Sequence, residues 1–164
     1  MRDQAHALFN QKTIDKLCSA VNITDTQNNA ITKWLALLKT GALDSEKKNY
    51  FKFGIIVLRD LLGYNIEEDL NFEEGNVEFS FTHPQTKKSV CIEVKGTSTK
   101  DLFASQNREK PEHQTPIKQT WDYMGRLSFD YGIATNYRDF VLIDRTKGYS
   151  RYHVFDFMSV QGNI

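Results

Sequence analysis

Two carboxylates and one ammonium group occur together in a stretch whose apolar residues alternate as in a β-hairpin. Glu93 and Lys95 flank Val94, and Glu78 precedes Glu93 by fifteen residues. Because side chains two positions apart on a strand share one face, we expect Glu93 and Lys95 to lie side by side, with Glu78 on the partner strand. Mg²⁺ is often held by one or two carboxylates together with phosphate oxygens and water. Such a metal activates water, and a nearby lysine stabilises the transition state, so these residues predict phosphodiester hydrolysis.

A purely structural interpretation of the same residues stays open at this point. A Glu-x-Lys triplet is common by chance, and a cross-strand pair of opposite charge often forms only a surface ion pair. Three features favour the catalytic interpretation. The triplet ends an apolar strand just before Gly96, an acidic strand residue precedes it at hairpin distance, and a helix with a polar start precedes both.

Two alternating segments predict the hairpin that positions these groups. Residues 75–82 and 89–95 each alternate apolar and polar side chains, and Pro84 lies in the turn between them. The apolar residues expected to face the core are Val77, Phe79, Phe81, Val90, Ile92 and Val94.

Three helices are predicted before the hairpin. The first forty residues contain two helical patterns, the second starting at Thr24 and ending at Gly41. A third helix is predicted over residues 45–62, with Ser45 as its N-cap and Gly63 closing it. Residues 65–70 are predicted as a short strand or extended arm. The apolar stripe of the third helix is expected to comprise Phe51, Ile55, Leu58 and Leu62, widened by Tyr50, Gly54, Val57 and Leu61.

The second half of the chain contains, in order, a long polar segment, a helix and three strands. Residues 96–116 are polar and long for a connection, which indicates a functional or mobile loop. Thr115 and Pro116 predict the start of a helix over 117–128. Strands are predicted over 131–135, 140–144 and 151–157.

Composition excludes several classes of protein. The 164 residues are 40% hydrophobic, which suits one domain with a core and argues against disorder. No apolar run is long enough to span a membrane, and Cys18 and Cys91 lack metal-ligand spacing, so a reduced cytoplasmic protein is predicted.

The net charge is zero, which argues against nucleic-acid binding by bulk charge alone. Local phosphate contacts, or only a solvated surface, are expected at Lys100, Arg108, Lys110, Lys118, Arg138, Arg145, Lys147 and Arg151.

The order of helix, acidic strand residue, E-x-K strand and helix resembles the PD-(D/E)xK nuclease superfamily. The resemblance implies an α/β (α+β), restriction-endonuclease-like fold with a mixed central sheet flanked by helices. It also implies that Glu78 and Glu93 bind Mg²⁺, with the Val94 backbone carbonyl as a further ligand and Lys95 assisting the attacking water. The usual Pro-Asp is replaced here by Val77-Glu78. Asn76 is the alternative ligand if the strand register is shifted by two residues.

A second resemblance narrows the subgroup. Gln119 and Tyr123 form a Q-x-x-x-Y pattern on a predicted helix, and Thr135-Asn136 follows in a strand and turn. This succession is similar to the nuclease domains of type IIG restriction-modification enzymes and of type I motor subunits. By this resemblance Gln119 and Tyr123 support the site, and Glu46 is an acidic residue of the first core helix. A solvated i, i+4 pair and a favourable charge in a first helical turn are the respective alternatives.

The resemblance also implies how the chain is organised. Residues 1–44 are expected to form a helical N-terminal extension, 45–158 the nuclease core, and 159–164 the start of a linker. Covalently linked methyltransferase and specificity domains would lie outside this chain. Double-stranded DNA is the implied substrate, with Mn²⁺ able to replace Mg²⁺, and two copies would be needed on DNA for double-strand cleavage. A repair or junction nuclease of the same fold and a non-catalytic DNA- or protein-binding module are the alternatives.

Overall fold

Six strands form one mixed sheet in the computed structural model, which describes residues 7–74, 77–83, 85–106 and 115–162. The strands lie in the sheet in chain order, from β1 to β6. Neighbours are antiparallel except β3 and β4, which run parallel. The strands are β1 (Leu70–Glu74), β2 (Val77–Thr82), β3 (Ser89–Val94), β4 (Tyr131–Thr135), β5 (Asp139–Asp144) and β6 (Tyr152–Asp156).

Helices cover both faces of this sheet. The regular helices are α1 (Gln11–Cys18), α2 (Asp25–Lys39), α3 (Tyr50–Phe53) and α4 (Pro116–Leu127), and a π-helix (Gly54–Leu61) continues α3. Short 3-10 helices span Lys47–Asn49 and Phe157–Gly162. Helix α4 connects the parallel strands β3 and β4, as a crossover between parallel strands requires. Within the described ranges, no helix combines the length and apolarity needed to cross a lipid bilayer.

Two apolar clusters lie on opposite sides of the sheet. The first joins α2, α3 and the π-helix to strand residues such as Phe79 and Ile92, with Trp34 fully buried at its centre. The second packs α4 against strand residues that include Cys91 and Ala134. Strand β3 is therefore covered on both faces, which explains how a charged residue on it becomes buried.

Several predicted boundaries are confirmed by specific caps. Thr24 is the N-cap of α2 and forms a reciprocal capping box with Gln27. Thr115 caps α4 by accepting a hydrogen bond from the Lys118 backbone N–H, with Pro116 in the first turn. Gly63 has a positive φ of 79° after the π-helix, as predicted for a helix-closing glycine.

The prediction of one regular α-helix over residues 45–62 is wrong, because the segment combines 3-10, α and π turns. Ser45 is not its N-cap, because the 3-10 turn begins at Lys47 and only four residues are α-helical before the π-helix. The wider π winding changes which side chains face the core. Phe51 and Leu62, predicted to be inside, are exposed at 76% and 55%. Gly54, Val57 and Leu58 of the predicted stripe are buried, and Phe53 and Ile56, which were not part of it, are buried as well.

The predicted strand or arm over 65–70 is also wrong. Residues 66–69 form a turn in which Asp69 accepts a hydrogen bond from the Asn65 backbone N–H. The strand β1 starts only at Leu70 and pairs with β2, which places Leu70 opposite Phe81. Asparagine and aspartate side chains compete locally for backbone donors, and here they favour the turn over a strand.

Candidate functional site

Four charged side chains from three parts of the chain converge at the end of β3. The ammonium Nζ of Lys95 lies 2.5 Å from Glu93 Oε1 and 3.6 Å from Glu46 Oε2. Glu78 Oε2 accepts a hydrogen bond of 3.3 Å from the Val94 backbone N–H. The prediction that these residues lie near one another is therefore met, and the sequence signal for it was strand alternation combined with hairpin pairing.

Register explains why Glu78 and Glu93 meet. Phe79 pairs with Ile92 in the antiparallel β2–β3 ladder, so continuing the register by one pair places Glu78 opposite Glu93. A proton on Glu93 can be shared in a hydrogen bond with the Glu78 carboxylate. Two like charges placed in this way destabilise each other unless a proton or a cation lies between them.

Glu93 is the buried member of the cluster. Its side chain has 0% exposure, and neither carboxylate oxygen accepts a hydrogen bond from the described residues. Its Oε1 forms an ion pair of 2.5 Å with the Lys95 ammonium. Because buried charges are normally both paired and hydrogen-bonded, this carboxylate retains capacity to bind a further cation.

The negative potential of the cluster raises the pKa of the groups around it. Burial, and then the charge of Glu78, raise the pKa of Glu93 well above its usual range. Burial lowers the pKa of Lys95, but the charges of Glu93 and Glu46 outweigh that effect and raise it overall. Burial followed by the charges of Glu78 and Glu46 raises the pKa of Tyr50. Glu93, Lys95 and Tyr50 therefore hold their protons more tightly than the same groups in water.

Glu46 is held in place by two tyrosines. The Tyr50 hydroxyl donates a 3.0 Å hydrogen bond to Glu46 Oε1, and the buried Tyr137 donates one of 2.6 Å to the Glu46 backbone carbonyl. The Trp34 indole N–H in turn donates to the Tyr137 backbone carbonyl at 2.9 Å. Helix α2 is thereby connected through the turn after β4 to the residue that contacts Lys95.

Gly96 allows the Glu46 segment to approach the end of β3. A Cβ at this position would lie 2.0 Å from the carbonyl oxygen of Asp44 and 3.1 Å from the Glu46 backbone nitrogen. The Lys95 backbone N–H donates a 2.7 Å hydrogen bond to the Thr135 carbonyl, which fixes the strand end from the other side. A side chain at Gly96 is therefore incompatible with this arrangement.

Gln119 and Tyr123 face the site from α4. Gln119 Nε2 donates a 2.9 Å hydrogen bond to the Tyr123 hydroxyl oxygen, and both side chains are half-buried. Burial raises the pKa of Tyr123, the hydrogen bond from Gln119 lowers it, and the charges of Glu93 and Glu78 raise it further. Tyr123 thus lies within electrostatic reach of the carboxylate pair.

The carboxylates at the site can be judged by what a divalent cation requires of its ligands. The described ranges contain no group of three histidine, cysteine, aspartate or glutamate side chains arranged around one point. Mg²⁺ needs only one or two carboxylates, because it keeps several waters and binds phosphate oxygens. The paired carboxylates of Glu78 and Glu93 fit that requirement, and the buried oxygens of Glu93 accept no hydrogen bond from the described residues beyond the ion pair with Lys95. Asn76, the alternative ligand, lies outside the described residues.

Three site residues were not predicted from the sequence. Tyr50 stands four residues after Glu46, a spacing that could have indicated their contact, since i, i+4 side chains are neighbours on a helix. Tyr137 gave no local signal, because it reaches Glu46 across 91 positions of sequence. The buried Asn49 orders the same turn by donating to the Ser45 carbonyl at 2.6 Å.

Of the predicted phosphate-binding residues that the structure describes, Lys100 and Arg138 line one pocket. Lys118 forms an ion pair with Asp122 on α4, and Arg138 forms one with Asp156 at 3.3 Å. Arg108 and Lys110 lie outside the described residues. The remaining four are exposed or nearly so, namely Lys100, Arg145, Lys147 and Arg151.

Comparison with known proteins gives no match for this chain among protein-family models, curated proteins or solved structures.

Proposed function

We propose that this chain is a Mg²⁺-dependent DNA endonuclease domain of the restriction-modification type, with a restriction-endonuclease-like fold. The observation that carries the proposal is the buried carboxylate of Glu93, which lies beside Glu78 and has no partner among the described residues beyond its ion pair with Lys95. A buried, unsatisfied carboxylate is costly for stability, and such groups cluster where a function requires them. The order of elements, from the Glu46 turn through β2 and β3 to α4, is the order that the resemblance implies.

Each residue has a chemical role in the proposed reaction. Glu78 and Glu93 would hold the metal, with the Val94 carbonyl as a third ligand. Bound Mg²⁺ would supply a water of lowered pKa and neutralise charge on the phosphodiester. Lys95 would donate from its ammonium to the attacking water or to the phosphate oxygens, where charge develops. Glu46 keeps Lys95 at the site through their 3.6 Å contact, and the hydrogen-bonded Gln119 and Tyr123 of α4 would support the lysine or the phosphate.

A DNA- or protein-binding module without catalysis is the second candidate. It is favoured by one observation, the direct ion pair between Lys95 and Glu93, which partly neutralises the carboxylate without any metal. The two candidates differ in metal binding. A catalytic site must take Mn²⁺ or Mg²⁺, whereas a binding module has no need to.

Calorimetric titration with Mn²⁺ tests the proposal, and cleavage of supercoiled plasmid DNA supplies the second measurement. We expect Mn²⁺ binding that Glu93→Ala removes and that Asp130→Asn leaves intact, because Asp130 lies at the other end of β3. Lys95→Ala should keep metal binding and lower cleavage by at least about a hundredfold. DNA binding without Mn²⁺ binding would favour the second candidate, and cleavage undiminished by Lys95→Ala would contradict the assigned site.

A further inference from the structure

A basic turn with an exposed aromatic ring directly follows Glu46. This basic aromatic turn spans residues 47–52 and contains three lysines, Lys47, Lys48 and Lys52, around Phe51. Phe51 is 76% exposed, the highest value among the large hydrophobic residues found exposed in the described ranges. Neither the catalytic chemistry nor the apolar core uses this surface.

The four outward side chains lie on one side of the turn. Residues three and four apart on a helical segment are neighbours, so Phe51 adjoins both Lys47 and Lys48, and Lys52 adjoins Lys48. The other two residues of the turn point inward: Asn49 is buried, and Tyr50 donates to Glu46. Asn49 Oδ1 also accepts a 2.9 Å hydrogen bond from Lys52 Nζ, which holds that ammonium at the turn without neutralising its charge.

The positive charge of this surface is not neutralised locally. Lys47, Lys48 and Lys52 form no ion pair with any carboxylate of the described residues. Sequence positions 47–59 include no acidic residue. In a chain whose net charge is zero, three such lysines form a distinct positive patch.

We propose that the basic aromatic turn is a binding surface for a DNA strand, whose phosphates meet the lysines and one of whose unpaired bases stacks on Phe51. Lysines beside an exposed aromatic ring are the combination that recognises single-stranded nucleic acid, since the ring stacks on any base and the ammonium groups track the backbone. The choice of DNA as the polymer rests on the proposed function. Lys47 adjoins Glu46, and Phe51 is about 8 Å along the helix axis from it, so the bound strand passes beside the site.

Binding measured in EDTA tests this surface separately from cleavage. The probes are a fluorescein-labelled single-stranded oligonucleotide and the duplex of the same sequence, followed by fluorescence anisotropy over a range of salt concentrations. The affinity falls as salt rises, so a plot of log affinity against log salt has a negative slope. Lys47→Gln with Lys48→Gln should make this slope shallower by about 1.4 for the single strand. The matched control, Lys12→Gln with Lys16→Gln, removes equal charge from the exposed face of α1 and should leave that slope unchanged.

The aromatic contact has its own variants. Phe51→Ala should weaken single-strand binding by about fivefold or more and duplex binding less, whereas Phe51→Trp should retain it. Leu62→Ala, an exposed apolar control on the same helical segment, should have no effect. Equal salt slopes for the two lysine pairs, equal affinities for Phe51→Ala and Leu62→Ala, or no DNA binding at low salt would overturn the inference. DNA binding by this surface in a protein that never cleaves would support it and contradict the nuclease proposal alone.

Discussion

Strand β3 carries a lysine–carboxylate pair at each end, and the two pairs are built differently. At its start, Lys88 Nζ lies 3.0 Å from Asp130 Oδ1, and Asp130 Oδ2 also accepts hydrogen bonds from the Ser89 backbone N–H and hydroxyl. At its end, Lys95 pairs with Glu93, whose oxygens accept no hydrogen bond from the described residues. The first carboxylate is partly exposed and satisfied, and the second is buried and unsatisfied.

The pKa values of the two carboxyls move in opposite directions as a result. The hydrogen bond from the Ser89 backbone and the contact with Lys88 lower the pKa of Asp130. Burial and the charge of Glu78 raise the pKa of Glu93. A lysine–carboxylate pair thus forms a structural clip, with its carboxylate satisfied by hydrogen bonds, at the start of the strand, and a buried, poorly satisfied ion pair at its end. Burial and the number of donors decide which of the two it becomes.

The largest expected effect comes from adding a side chain at Gly96, where the backbone of Asp44 crosses close to the end of β3. Gly96→Ala places a methyl group 2.0 Å from the Asp44 carbonyl oxygen, and backbone atoms on both sides cannot yield cheaply. We expect a loss of about 3 kcal/mol in the free energy of unfolding, measured by urea denaturation. The same change should separate Glu46 from Lys95 and so reduce DNA cleavage beyond the loss of folded protein.

Gly125→Ala is the matched control for that substitution. Gly125 is an exposed residue of α4, and an added Cβ would meet nothing within 4 Å. Alanine in a helix interior is favoured over glycine, so this variant should gain about 0.5–1 kcal/mol. If Gly96→Ala proved as harmless as Gly125→Ala, the close crossing of the Asp44 segment over β3 would be disproved.

Replacing each pair by two methionines should give effects of opposite sign. Glu93→Met with Lys95→Met removes a buried, poorly satisfied ion pair and relieves Glu78 of a like charge, so unfolding free energy should rise by about 1 kcal/mol or more. Lys88→Met with Asp130→Met deprives Ser89 of its acceptor and should lower the unfolding midpoint. Such a result would mean that the Glu93–Lys95 pair lowers the stability of the fold, whereas the Lys88–Asp130 pair raises it. Functional sites often lower stability in this way.

Urea denaturation of both double variants beside the wild type measures this contrast. Metal binding should be lost only in the variant at the carboxyl end of β3. Destabilisation by both replacements would mean that the Glu93–Lys95 pair is itself a structural clip, and it would remove the main support for the nuclease proposal.

Strand alternation made the central part of the fold and site predictable. The pattern of residues 77–82 and 89–94 determined both the hairpin and its faces, so the meeting of Glu78, Glu93 and Lys95 followed from sequence spacing. The caps at Thr24 and Thr115 were predictable for a similar reason, since each accepts a hydrogen bond from the backbone N–H three residues away.

The features that the sequence did not predict depend on tertiary packing. Helical periodicity predicted neither the exposure of Phe51 and Leu62 nor the π winding of residues 54–61 between them. Packing of α2 beside this segment, with Gln27 donating to the Leu61 carbonyl at 3.0 Å, stabilises what local propensity would not select. The burial of Glu93 under α4 and the reach of Tyr137 to Glu46 likewise depend on contacts distant in sequence.

The smallest expected effect concerns the satisfied pair and its response to pH. The pKa of Asp130 is lowered in the folded state, so folded protein releases this proton more readily than unfolded protein, whose aspartates titrate near pH ~3.9. The stabilisation from Asp130 is therefore complete above that pH and is lost as the pH falls through the lowered folded-state pKa.

Urea denaturation at pH 6, about 4 and about 3 measures this loss. The wild type should be more stable than Asp130→Asn at pH 6, and the difference should shrink as the pH falls. High salt should reduce the share due to Lys88 but preserve the share due to Ser89, because only the former is a screened ion pair. A difference that stays constant across this range would show that the carboxylate charge does not stabilise the start of β3, and the contrast between its two ends would then rest on burial alone.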